Sequence, residues 1–79
     1  MIGGFDEADP IKVEARDVLD VWVEAGWIDS YRFGPLDSVD LIRGRHAVGI
    51  LLDAPTVRGW GGVGPLIEAA IRKLRACAS

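Results

Sequence analysis

The stretch Arg58-Gly59-Trp60-Gly61-Gly62-Val63-Gly64-Pro65 sets four glycines around one tryptophan. Gly59, Gly61 and Gly64 have the G-x-G-x-x-G spacing of a dinucleotide loop. Such a loop works because glycines let backbone N–H groups approach a pyrophosphate, while the helix start that follows favours negative charge; Arg58 would add a contact. The supporting features of that chemistry are missing. No acidic residue follows about 20 positions on, no Walker Lys-Ser/Thr pair is present, and Pro65 removes an N–H where a phosphate would want one. The glycines therefore read as a turned connector ahead of a last helix. Trp60 has two readings, a plug in the core or an exposed anchor for a protein interface, where Trp and Arg are over-represented among energetic hot spots. Arg58 stands two residues away.

The remaining reactive side chains are isolated. His46 is the only histidine and has no Cys or His partner at ligand spacing, so a turn residue is expected and a metal site is not. Cys77 falls at a predicted helix C-terminus, where the dipole disfavours a thiolate, and reads as a packing residue. Ser30, Ser38 and Thr56 lack a histidine at useful spacing. Asp37 and Asp40 lie near a turn, with nothing to suggest the burial that tunes a carboxylate pair for acid–base work. The expectation is a non-enzymatic chain with no cofactor and no metal.

Charge is more informative than any single group. Residues 1–40 hold ten acids and three bases, whereas residues 41–79 hold two acids and six bases, so a net charge of −3 conceals halves of −7 and +4. Asp17, Asp20 and Glu24 fall on one side of a predicted helix. With Asp29, Asp37 and Asp40 beyond it, and Asp6, Glu7 and Asp9 before it, they would form a negative surface if the fold gathers them. The opposing set is Arg43, Arg45, Arg58, Arg72, Lys73 and Arg75.

The elements that position these groups follow from capping and periodicity. Asp9-Pro10 starts a helix running to about Ala25, with Gly26 as its left-handed cap and Trp27 folding back onto the last turn. Ile11, Ala15, Val18, Leu19, Trp22 and Ala25 recur at helical spacing and face the core. Three strands follow at about 27–33, 38–43 and 46–52, joined by short links that favour an antiparallel meander. The run Ala47-Val48-Gly49-Ile50-Leu51-Leu52 is apolar at almost every position, which predicts a strand covered on both faces or set against the helices. A second helix is expected from Pro65 to about Ala78. Its buried stripe is Leu66, Ala70, Leu74 and Cys77, widened by Ile67 and Ile71, and Glu68 pairs with Arg72 on its surface. The fold class is α+β, in the order α-β-β-β-α: a three-stranded antiparallel sheet with two helices packed on one face. Residues 1–79 form one domain, with 1–8 as a loose N-terminal arm.

Seventy-nine residues limit the core, because a chain this short buries only about 60 to 65% of its unfolded surface. No apolar run is long enough for a membrane span, the start lacks the basic flank and apolar run of a secretory signal, and one cysteine cannot staple the fold. The cytoplasm is the expected setting.

The α-β-β-β-α order resembles a double-stranded-RNA-binding domain. Gly34-Pro35 matches that family's Gly-Pro turn between the first two strands, and Gly62-Val63-Gly64 matches the Gly-x-Gly leading into the last helix. The departures fall on the contacts. Asp37 stands where the family carries a minor-groove histidine, and Leu66, Ile67 and Glu68 stand where paired lysines would meet phosphates. By size, acidity, absence of a catalytic set and the composition of a GC-rich genome, the chain also resembles the small inhibitors of phages and mobile elements, such as anti-CRISPR proteins. That likeness implies a protein partner, specifically a nucleic-acid-binding complex whose basic surface is occupied. The expected partner-binding residues are Asp17, Asp20, Glu24, Asp29, Asp37, Asp40, Arg58 and Trp60. The alternatives are direct nucleic-acid binding through the basic half, and self-association.

Overall fold

A computed structural model describes residues 9–78, with side chains described as far as residue 76. The expected arm 1–8, with Asp6 and Glu7, and the side chain of Cys77 lie outside the described residues. The order is α1 (Pro10–Glu24), β1 (Ser30–Phe33), β2 (Ser38–Arg43), β3 (His46–Leu51), α2 (Ala54–Trp60) and α3 (Val63–Ala78). The strands form one antiparallel sheet in the order β1-β2-β3. The chain is α+β, as its sequence pattern predicts, with one additional short helix.

α1 begins where expected. The Asp9 carboxylate accepts from the Ile11 N–H at 2.9 Å, and Pro10 opens the first turn. At its other end Gly26 takes φ +82°, so the Trp27 N–H turns back to the Trp22 carbonyl at 3.1 Å. The two indoles then meet edge to face at 5.3 Å. Ala15 and Leu19 are fully buried, while Ile11, Val18 and Trp22 pack around them; Ala25, expected on the buried face, is exposed at the helix cap.

Lys12 is buried, which the stripe did not anticipate. Its ammonium leaves the core to donate to the Leu36 carbonyl at 2.9 Å and lies 3.8 Å from Asp37. The stem thus covers apolar surface while the charge finds oxygen. Leu36, at φ +60°, holds that carbonyl in the β1–β2 turn.

The β2–β3 hairpin closes through Gly44 and Arg45. Gly44 alone of the two has positive φ, +59°, the signature of a type II′ turn whose twist matches the strands. Register puts Tyr31 and Phe33 beside Leu41 and Val39, and those beside Val48 and Ile50, so all six face the helices. Val39, Leu41, Leu52, Leu66, Ile67, Ile71 and Leu74 complete the core with α1. Asp40, Gly49, Ala47 and Leu51 face the other way.

Two expectations are decided by the packing. Of the alternatives for β3 the second holds: Val48 and Ile50 set it against the helices, and it is not covered on both faces, since it is an edge strand with Ala47, Gly49 and Leu51 exposed. Its alternation is invisible in sequence because its outward positions hold small or apolar residues instead of polar ones. Residues 58–65 are not a loop either, since they contain the end of α2 and the start of α3, which begins at Val63 and not Pro65. Val63 is buried and anchors that start.

Candidate protein-binding surface

α2 exists because both its ends are capped. The Asp53 carboxylate accepts from the Thr56 hydroxyl at 2.6 Å and from its N–H at 3.4 Å, and the hydroxyl bond holds that carboxyl below the usual carboxylate range. At the far end Gly61 takes φ +83°, and the N–H groups of Gly61 and Gly62 are spent on the carbonyls of Arg58 and Val57. These are donors that a phosphate cradle would need free. The G-x-G-x-x-G spacing therefore arises from a glycine within α2, a helix cap and a glycine in the next helix's first turn.

This geometry sets Trp60 at the end of α2 with 52% of its surface exposed, resolving its two readings in favour of exposure. The ring walls a groove of about 410 Å³. β3 from Val48 to Leu51 forms one side, and Ala69 and Lys73 of α3 form another. A smaller hollow of about 250 Å³ lies across the ring, beside Pro65 and Glu68. Leu51, 55% exposed, extends the apolar surface along the strand. Contiguous exposed apolar surface of this kind marks sites where another molecule binds.

The acidic residues are only partly gathered. Asp17, Asp20 and Glu24 are exposed along α1, and Val21, 63% exposed, stands among them. Asp20 accepts from the Tyr31 hydroxyl; burial first, and then this bond, push the Tyr31 phenol up to about 12. Asp29 accepts from the Gly44 N–H at 2.6 Å and so braces the hairpin. Asp37 lies by Lys12, and Asp40 faces away from the helices, on the opposite side of the sheet from the α1 stripe. One extended acidic face spanning all six residues does not form.

The basic set is divided between internal duties and the surface. The Arg43 guanidinium donates to the Trp27 carbonyl at 2.8 Å, and the Arg75 guanidinium lies 4.2 Å from the Trp27 ring centre. Arg72 pairs with Glu68 at 2.6 Å, as their spacing predicts. Arg58 is exposed on the last turn of α2, and Lys73 lines the groove.

Sequence reasoning found Trp60 and Arg58 but missed the rest of this surface. Ala69 carries no signal, Lys73 stands only among the basic residues of the second half, and β3 is expected to be covered on both faces or set against the helices. Among the described residues, no group of three His, Cys, Asp or Glu side chains has metal-binding geometry, and no helix is long and apolar enough to cross a membrane. Compared with family models, curated proteins and solved structures, the chain has no significant match.

Proposed function

We propose that this chain is a non-enzymatic protein-binding module whose primary contact is the surface formed by Trp60, the adjoining groove and the open edge of β3. One observation carries this reading: a capped helix holds the largest side-chain type half out of the core, beside an apolar groove. Covering the exposed part of such a ring, roughly 100 Å² of apolar surface, is worth about 2–3 kcal/mol. That is the scale of an interface hot spot.

The finer proposal is an inhibitor that occupies a basic nucleic-acid-binding surface. It draws on the α1 stripe, where Asp17 and Glu24 flank the exposed Val21, because an apolar residue among acids suits a contact that is steered by charge and held by burial. Direct nucleic-acid binding is less favoured, since Arg43, Arg72 and Arg75 already serve internal partners.

The test is affinity capture from a lysate of the source cell, with Trp60→Ala and Asp17→Lys/Glu24→Lys as parallel baits. A specific protein retained by the parent chain, lost with Trp60→Ala and weakened in a salt-dependent way by the charge reversal is expected. Identical capture by the parent and Trp60→Ala would overturn the surface assignment. A captured partner indifferent to the reversal would remove the α1 stripe from the account.

A further inference from the structure

The exposed edge of β3 has a definite hydrogen-bonding pattern. In a hairpin closed by two residues, Arg43 and His46 are a hydrogen-bonded pair, and bonding then alternates along the ladder. His46, Val48 and Ile50 thus turn their backbone groups toward β2, and the Leu52 N–H continues the series to the Asp37 carbonyl at 2.6 Å. Ala47, Gly49 and Leu51 turn theirs to the free edge. Among the described residues, these three N–H groups and three carbonyls have no backbone partner and face outward for another strand.

Nothing in the strand protects this edge. Natural edge strands are guarded by lysine, proline, inward charges or bulges. His46–Leu51 contains no Lys, Pro or acid, and its register with β2 is unbroken. The groove beside it is apolar, with Lys73 as the one charged residue in its lining among the described residues. The occupant should bring the missing carboxylate.

We propose that β3 receives a fourth strand: an extended peptide segment of a partner protein, apolar at alternate positions and carrying an Asp or Glu opposite Lys73, that pairs with Ala47–Leu51 and packs on Trp60. This rests on the binding-module reading and specifies its mode. Backbone pairing supplies affinity and the groove supplies side-chain choice, the logic of strand addition to an open sheet edge. Charge argues against a second copy as occupant. Two β3 edges joined about a two-fold axis would bring two grooves together, each with its Lys73 and neither with an acid.

The experiment is selection of random peptides displayed against the full chain, followed by titration and amide hydrogen exchange with a selected synthetic peptide. Selected peptides should alternate apolar residues and contain Asp or Glu. Their binding should slow exchange at Ala47, Gly49 and Leu51 by about tenfold or more. Lys73→Glu should weaken such peptides by about tenfold and turn the selected preference toward Lys or Arg. Ala47→Pro deletes an edge N–H that β2 does not use and should abolish binding; the surface substitution Lys73→Glu keeps the test decisive if that proline impairs folding.

Protection on α1 in place of β3, or indifference to Lys73→Glu, would overturn the proposal. A doubled solution mass with β3 protected in the absence of peptide would assign the edge to a second copy. If selection is empty but capture still depends on Trp60, strand addition is wrong and the module reading stands; if capture fails as well, both are wrong.

Discussion

The two flanks of this sheet are finished in different ways. On the β1 side, side chains tie element to element: Tyr31 to Asp20, Lys12 to the Leu36 carbonyl, Asp29 to Gly44 and Arg43 to Trp27. On the β3 side no such tie reaches the strand among the described residues. Exposed apolar side chains and unpaired backbone meet a groove walled by Trp60. The comparison separates two kinds of buried or half-buried apolar residue. Those beneath α1 hold the fold, whereas Trp60 and Leu51 on the β3 side stand more than half exposed.

Paired truncations would break that comparison most sharply. Leu41 is fully buried beneath the helices, so Leu41→Ala should cost about 2–5 kcal/mol in chemical denaturation. Leu51, exposed on the edge strand, should cost no more than about 0.5 kcal/mol when cut to Ala. Equal losses would mean that the β3 edge is part of the core and not a contact surface.

A smaller effect is expected at Gly26. An Ala there must hold φ +82° against its own Cβ and should destabilise by about 1 kcal/mol. Because Gly26 aims Trp27 at Trp22 and Arg75, near-ultraviolet circular dichroism should weaken along with stability. An unchanged tryptophan signal would show that the stack forms without the cap.

The smallest effect is a titration. Tyr31 is the only tyrosine, so the phenolate absorbance reports it alone. Its midpoint should lie near 12, against 10.0 for an unperturbed phenol. The folded value is the higher one, so the protonated phenol favours the native state. That contribution is fully present below about pH 10 and is lost as pH rises through the folded midpoint. Asp20→Ala removes the bond and the adjacent charge but leaves burial, the larger cause, in place. The midpoint should therefore fall only part of the way toward 10.0. A complete return would mean that the tie to α1, and not burial, governs this flank.

Much of the scaffold was legible because its signals are local. Asp9-Pro10 and Gly26 marked α1, and Gly44 marked the hairpin, since each acts through its own backbone. The α3 stripe was legible through helical spacing. α2 was missed because Ala54-Pro55 and four nearby glycines look like punctuation; the deciding signal was Asp53 with Thr56 three residues on, a cap hidden by its breakers. The candidate site was less legible. Trp60 drew attention by type, but Lys73 and the β3 edge become neighbours only when α3 packs on the sheet.

By itself, then, the sequence determined the bounds of α1, the β2–β3 turn and most of the inward residues of α1 and α3, because caps, φ preferences and periodicity act within a few residues. The short links already implied the meander order; tertiary structure alone decided that the outward face of the apolar strand β3 stays open, that Trp60 stands outside the core, and that Asp40 is separated from the α1 acids. Those outcomes depend on which elements meet across distant stretches of chain. An apolar side chain reads the same in sequence whether its neighbour in space is a helix or water.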